Sequence, residues 1–395
     1  MSKSRIAVTR RNVIKSGLAL GAAASLPTTF AIARTRPLKL GLMLPYSGTY
    51  AKLGENITIA VEMLIAEHMG KLGHREIEII KLDDESKPAL AQQNAERLIK
   101  RDGADVIIGT VHSGVQMGIH KVVRETGTLN IIPNAGADAI TRSLCARNVF
   151  RTSFTNWQPA HGMGLELARR GVKKAAWISW DYAAGNEAGE GFRQGLETGG
   201  GKVVKNLTLK FPETNFQPLL AQIPDLGVEY VGAFFAGGGA VQFVKEYKAA
   251  GIKVPLVGSG FLTEGVLGAQ GDAAEGIETA LHYGDGITNA MNLGFRKSFR
   301  EKAGREADVY AVQGYDAAQL LAHGLWATKG NIDDEARLYK AMRSAALDSP
   351  RGPITISSSQ NVTQNIYLRR ATGGQNKVVG IAAPHLADPG TGCKL

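Results

Sequence analysis

The sequence predicts an α/β protein built as two doubly wound lobes, each on a parallel sheet. Three observations lead there. From Leu38 onward, apolar strand-like runs alternate with amphipathic helical stretches, the pattern of parallel α/β structure. The alternation comes as two successive series with the same element order and similar length, although no sequence repeat links them. Two neighbouring segments, ADVIIGTVHSG (104–114) and LNIIPNAGADAIT (129–141), each run a buried-type strand into a turn of small residues that opens a helix.

Taken in order, the first series reads strand 38–45, helix 56–69, strand 75–83, helix 88–101, strand 105–111, helix 115–126 and strand 129–133. Pro88 opens its helix where a missing N–H costs nothing. The second series follows Phe150-Arg151-Thr152: helix 159–170, strand 175–180, helix 186–198, strand 202–209, short helix 216–223, strand 230–235, helix 241–250 and strand 254–257. A strand at 276–283 then precedes helices at 290–303, 310–327 and 333–345, and three short strands close the chain near 354–357, 364–369 and 378–381. A helical return followed by strands takes the chain between the lobes more than once. Several crossings make a hinge that bends without unfolding either lobe.

The first 33 residues read as an export signal rather than as fold. A basic, acid-free start holds the adjacent Arg10 and Arg11, an apolar run spans 17–26, and Ala31-Ile32-Ala33 is a small-x-small cleavage pattern ending at Ala33. The run is too short to span a bilayer, and the paired arginines point to the twin-arginine (Tat) export machinery as a partner. No cysteine follows the run, so no lipid anchor is expected, and no later segment reaches the ~20 apolar residues of a membrane span. A soluble periplasmic monomer is expected. The chain has 46 basic and 36 acidic residues; five of the basic ones and none of the acids lie in the leader, so the mature charge is +5. The remaining basic residues are scattered, with short doublets such as Arg169-Arg170 and Lys173-Lys174, which speaks against nucleic acid as a partner. Cys145 and Cys393 are an even pair for an oxidising compartment, where one disulfide would tie the tail to the loop after the second small-residue turn.

The two strand–turn–helix segments are the candidate site. A helix N-terminus presents free N–H groups and a positive dipole end, so such turns hold anions. Neither turn carries Lys, Arg or a phosphate-loop glycine pattern. Ser113 with Gly114, and the row Ala135, Gly136 and Ala137, suit a single carboxylate. Ser113 also fits as a helix cap. His112 is a second candidate for the carboxylate. Tyr182 offers an apolar face with a polar tip, while Trp157 and Phe154 fit core packing as well as a ligand stack. Gly237-Gly238-Gly239 lacks dinucleotide-loop spacing, Asp83-Asp84-Glu85 reads as a solvated strand end, and no HExxH, paired-cysteine or GxSxG pattern occurs. No cofactor, no metal and no catalytic set are therefore expected.

A set of short motifs, in order, carries a resemblance. They are Leu44-Pro45-Tyr46-Ser47-Gly48 with Leu53-Gly54, Ile108-Gly109 through Ser113, Pro133-Asn134-Ala135, Phe150-Arg151-Thr152 and Asp181-Tyr182-Ala183-Ala184-Gly185. Lys248-Ala249-Ala250-Gly251, Gly271-Asp272-Ala273-Ala274-Glu275-Gly276 and Tyr315-Asp316-Ala317 follow. In this order and spacing the chain resembles the periplasmic solute-binding proteins of branched-chain amino acid ABC transporters, the Leu/Ile/Val-binding type. The resemblance implies the type I periplasmic binding protein fold, with a three-crossing hinge and a ligand cleft between the lobes. It implies lobes of 34–152 with 284–348 and of 153–283 with 349–395, a small carboxylate ligand and an ABC transporter permease as partner.

Residue by residue, the family serine for the ligand carboxylate falls at Ser113 and the backbone contacts at Ala135, Gly136 and Ala137. The first-loop aromatic falls at Leu53, the second-lobe tyrosine at Tyr182 or Ala184, a later aromatic at Gly238, and the acid for the ligand ammonium at Gly260. The last two are departures. A buried ammonium needs a carboxylate partner, and Gly258-Ser259-Gly260-Phe261 offers none, with Glu264 four residues away. The expected ligand is therefore an amino acid or, in preference, an aromatic or other non-amino carboxylate. Phe261, Trp157, Tyr182 and Tyr283 would offer apolar faces, and the glycines at 238 and 260 room for a ring. The alternative function is a ligand-sensing receptor that signals through a partner protein; an enzyme is not expected.

Overall fold

The computed structural model describes residues 36–395. The export signal, with Arg10, Arg11 and the cleavage position Ala33, lies outside the described residues. The first sheet holds β1 (Leu38–Leu44), β2 (Lys71–Leu72), β3 (Arg75–Asp83), β4 (Val106–Gly109), β5 (Leu129–Ile132) and β6 (Val149–Arg151) in the order β2-β3-β1-β4-β5-β6. All of these pair in parallel except β2 with β3. Helices α1 (Ala51–Glu67), α2 (Ala91–Glu96) and α3 (Ser113–Thr126) connect them. Every residue of β4 and β5 is buried, which explains why these strands read as unbroken apolar runs rather than as alternation.

The second sheet starts after α4 (Trp157–Arg169). It contains β7 (Lys174–Trp180), β8 (Lys202–Leu209), β9 (Tyr230–Phe234), β10 (Leu256–Ser259) and β11 (Glu278–Leu281), parallel in the order β11-β10-β9-β7-β8. Helices α5 (Ala183–Glu197), α6 (Gln217–Leu220), α7 (Gly237–Ala249) and α8 (Leu267–Gln270) lie between these strands in sequence. Strand β10 begins two residues later than expected because Pro255 cannot donate to the ladder and sits before the strand. The glycines of α5 let it lie directly on α4: a Cβ at Gly195 would stand 2.4 Å from the His161 carbonyl oxygen.

The chain then returns through α9 (Ala290–Ala303), α10 (Val309–Ala327) and α11 (Glu335–Arg343). Helix α10 packs on α1 at Gly314, where a Cβ would stand 2.4 Å from the Ile57 carbonyl oxygen. Strands β12 (Ala346–Leu347), β13 (Ile354–Ile356), β14 (Val362–Thr372) and β15 (Gln375–Leu386) rejoin the second sheet, with β14 antiparallel to β11. The chain thus passes between the sheets three times. Two expectations change here. The last two short strands are one hairpin of 11- and 12-residue arms, turned by Gly373 and Gly374, both at positive φ. The helix expected at 88–101 is a 3-10 turn (Pro88–Leu90), then α2, then a wide π turn (Arg97–Arg101).

Buried arginines hold the crossings. Arg351 donates to the carbonyls of Thr152 and Ser153 in the first crossing and pairs with Asp316 of α10 at 2.9 Å. Arg369 of β14 donates to the Tyr283 carbonyl in the second crossing (2.9 Å) and pairs with Glu264. The tail beyond β15 comes back to the first lobe. Arg142 grips Asp388 through two nitrogens (3.0 and 2.7 Å), and Cys145 is disulfide-bonded to Cys393 with Cα atoms 5.4 Å apart.

Burial pushes the Asp316 carboxyl up to about 6, and only Arg351 and Ser349 keep it charged at neutral pH. Replacing Arg351 by Ala strands that charge and frees two crossing carbonyls, so it should cost about 3–5 kcal/mol in urea unfolding. A loss within the about 1 kcal/mol of an exposed ion pair would show that the hinge does not depend on it.

Candidate ligand-binding cleft

Open α/β sheets bind ligands outside the carboxyl ends of their strands, where the strand order reverses. In the first sheet that point lies between β1 and β4, in the second between β7 and β9. A cavity lies there between the two lobes. Its walls come from strand ends: Tyr50 and Leu53 after β1, Val111 and Ser113 after β4, Asn134 and Gly136 after β5. Phe154 and Asn156 come from the first crossing, Tyr182 and Ala184 from after β7, Phe234 from the end of β9 and Ala236 from just after it, Phe261 from after β10 and Tyr310 from the first turn of α10. The lobes meet over it through the Tyr50 and Tyr182 hydroxyls, 3.0 Å apart.

One end is polar and neutral. Ser113 is buried at the first position of α3, and its Oγ accepts from Asn156 Nδ2 at 3.1 Å, so its own proton is left to donate. His112 is the cap of that helix: Nδ1 accepts from the N–H of Gly114 (3.0 Å) and of Val115 (3.4 Å). This role requires a neutral ring, and burial pushes the His112 pKa down to about 4. Asn134 is oriented by a relay in which its Nδ2 donates to Gln313 Oε1 (2.6 Å), whose Nε2 lies 3.0 Å from His282 Nε2. Gly136 is required by crowding, since a Cβ there would stand 2.3 Å from Asn156 Oδ1.

Behind this end, Glu187 of α5 reaches from the second lobe to the first. Its Oε2 accepts from the Asp138 N–H (3.0 Å) and from Asn156 Nδ2 (2.7 Å), the same group that holds Ser113. Burial raises the pKa of both Glu187 and Asp138, with Arg142 opposing the shift. The remaining wall is aromatic. The rings of Phe154 and Phe261 are 4.8 Å apart, those of Phe261 and Tyr310 6.0 Å, and Phe234 lies 6.3 Å from both Phe261 and Tyr182. Among the described residues, no Asp, Glu, Lys, Arg or His side chain lines the cavity. Glu264 stands behind the wall with its carboxylate engaged by Arg369 and by the Val309 N–H (2.7 Å).

The wall thus combines aromatic faces with a few uncharged polar groups, the usual make-up of a small-molecule site. A family model described as periplasmic binding protein matches residues 37–376. The chain belongs to the periplasmic binding protein family. It is 30% identical to Leu/Ile/Val-binding protein homolog 6 of Brucella melitensis over 341 residues, covering 84% of this chain and 87% of that one. It is similar in structure to the solute-binding protein of an ABC transporter from R. palustris, crystallised with benzoate: 49% identity, TM-score 0.89, covering 91% of this chain and all (100%) of the other. A second such protein, from Rhodopseudomonas palustris BisB5 in complex with 3,4-dihydroxybenzoic acid, is 30% identical with TM-score 0.84, over 90% and 99% of the two chains. A binding protein of an ABC transporter works with a membrane permease and a small-molecule ligand, and the family is not a class of enzymes. Among the described residues no helix is long and apolar enough to cross a membrane.

Of the positions expected at the site, the binding protein brings Leu53, Ser113, Gly136, Tyr182, Ala184 and Phe261 to the cavity wall. Others stand off it. His112 faces the Tyr182 ring (4.6 Å between centroids) and spends its free nitrogen on the cap, which also occupies the Gly114 amide. Ala135 donates its N–H to the Thr110 carbonyl, and the Ala137 carbonyl accepts from the buried Arg151 at 2.6 Å. Trp157 stacks on His161 and donates Nε1 to Gln194. Tyr283 donates its hydroxyl to Asn292.

The two departures resolve differently. Gly238 opens on empty space, and the wall is made instead by Phe234 and Ala236 just before it. Gly260 is walled in: a Cβ would stand 2.4 Å from Leu281 and 2.5 Å from Arg369, whose Nη2 binds the Gly260 carbonyl (2.8 Å). Tyr50, Val111, Asn134, Asn156, Phe234, Ala236 and Tyr310 were not singled out from the sequence. Only the rule that ligands sit at strand carboxyl ends would have pointed to most of them, and nothing local marks Tyr310.

The unfolded chain binds a proton on His112 near pH 6.5, the folded chain only near 4. Stability from the neutral cap is therefore lost as pH falls from about 6.5 to about 4, by at most about 1.4 kcal/mol per pH unit. His120, His161 and His282 are shifted the same way. A His112→Asn variant keeps a capping side chain but loses the titration, so its stability should fall less steeply in this window. Equal slopes in calorimetric melts of the two proteins would put the effect on the other histidines.

Proposed function

We propose that the protein is the receptor of an importer for small aromatic carboxylates, which it binds in the cleft between its lobes. The observation that carries this reading is a cavity walled by six aromatic rings, polar only through uncharged groups, with no free carboxylate to balance an ammonium. An amino acid would bury its ammonium unpaired there, at a cost that a benzoate does not incur. The benzoate and 3,4-dihydroxybenzoic acid complexes of the two similar proteins support the same chemistry.

In the open form the carboxylate binds the first lobe, at the Ser113 hydroxyl and the turn containing Gly136. Each charge-assisted hydrogen bond there contributes about 1.5–3 kcal/mol. Closure brings Tyr182, Phe234 and Phe261 of the second lobe onto the ring and excludes water. The ligand favours closure by its higher affinity for the closed state, and the Glu187 contacts to Asn156 and to the Asp138 amide form in that state. The closed lobes are the form presented to the permease. The reading includes export through the twin-arginine route and action as a monomer.

A thermal-shift panel tests the ligand class: benzoate and hydroxybenzoates should raise the melting temperature and leucine should not, and the reverse pattern would overturn the reading. Ser113→Ala should weaken binding of the stabilising acid by about 1–3 kcal/mol in titration calorimetry without lowering the melting temperature of the free protein. An unchanged affinity would remove Ser113 from the site.

A further inference from the structure

Among the described residues that line the cavity, Tyr310 has a fully buried polar atom without a hydrogen-bond partner, its hydroxyl. The other two tyrosine hydroxyls of the wall, Tyr50 and Tyr182, satisfy each other. A buried hydroxyl left unmade is unfavourable, and native interiors rarely tolerate one outside a functional site.

The nearby acids do not supply the partner. Glu264 and Asp308 are close enough to raise the pKa of the Tyr310 hydroxyl beyond the effect of burial. Their oxygens are already engaged: Glu264 by Arg369 and the Val309 N–H, Asp308 by the Ala311 N–H (3.0 Å) and Asn56 Nδ2 (2.6 Å). The same acids decide what kind of ligand group fits here. A ligand carboxylate beside Tyr310 would add a negative charge next to the Glu264–Arg369 pair and to Asp308, whose carboxyl burial already pushes up to about 7, whereas a neutral hydroxyl would add none. The anionic end of the ligand therefore belongs at Ser113, and a neutral polar group belongs at Tyr310.

We propose that the Tyr310 hydroxyl is the specificity-determining group for the ring, and that it takes a phenolic hydroxyl, so that the cleft selects hydroxylated benzoates over benzoate itself. This rests on the aromatic-carboxylate reading above and narrows it. A site that keeps a hydrogen-bonding group for a substrate hydroxyl disfavours the analogue lacking it, because its own group is then left unpaired.

Titration calorimetry with benzoate, 3-hydroxybenzoate and 4-hydroxybenzoate on the full mature protein tests it, in the wild type and in Tyr310→Phe. The wild type should bind at least one hydroxybenzoate about tenfold more tightly than benzoate. Tyr310→Phe should collapse that ratio towards one by weakening the hydroxybenzoate more than benzoate. A wild type that binds benzoate as tightly as both hydroxybenzoates overturns the inference without any variant and leaves the aromatic reading standing. So does an equal loss for all three acids in Tyr310→Phe, the result expected if this hydroxyl held the carboxylate or only supported the fold. A wild type that binds none of the three and does bind leucine overturns the aromatic reading itself.

Discussion

The geometry of the cleft depends on guanidinium groups buried where the chain passes between the lobes. A buried arginine must have its donors satisfied and its charge paired, or the fold bears the cost of stranding it. Arg351 meets this demand by binding two successive carbonyls of the first crossing, Thr152 and Ser153, together with Asp316 on α10. Arg369 does the same for the second crossing through Tyr283 and Glu264. Each arginine fixes crossing backbone as well as a buried carboxylate. Phe154 and Asn156, the residues that follow the first pinned carbonyls, are thereby set at the cavity wall.

The same economy of charge explains the chemistry of the site. Charged groups surround the cavity, and each is engaged behind the wall: Glu264 with Arg369, Asp138 with Arg142, Glu187 with backbone and amide donors. His112, stacked on the wall residue Tyr182, is kept neutral by burial and by its role as a helix cap. The wall itself is left with aromatic faces, two amides and hydroxyls. Such a surface has no charge to pair with a buried ammonium, which is the ground for the aromatic-carboxylate proposal.

The architecture was largely legible in the sequence. Strands buried on both faces read as apolar runs, and the run into Ser113 marked a strand end that does lie at the cleft. The reading failed where a side chain's partner lies far along the chain. Gly260 stood out as a missing acid, yet its surroundings are set by Leu281 and Arg369. Glu264 was set aside by its spacing, and the reason it stays off the wall is Arg369, 105 residues away. His112 looked like a ligand group because its competitor for the same nitrogen, the helix's own first turn, is a matter of backbone geometry.

By itself the sequence determined the two doubly wound lobes and the strand ends, such as that at Ser113, that line part of the cavity. These follow from periodicity and residue type, which are local properties. Only the tertiary structure decided which charges are neutralised behind the wall, which glycines are crowded and which open, and that a tyrosine from the second helix of the return, Tyr310, lines the cavity with its buried hydroxyl unpaired. Those are questions of whether a donor finds an acceptor across the fold, and the answer lies in residues that meet only when the three crossings are made.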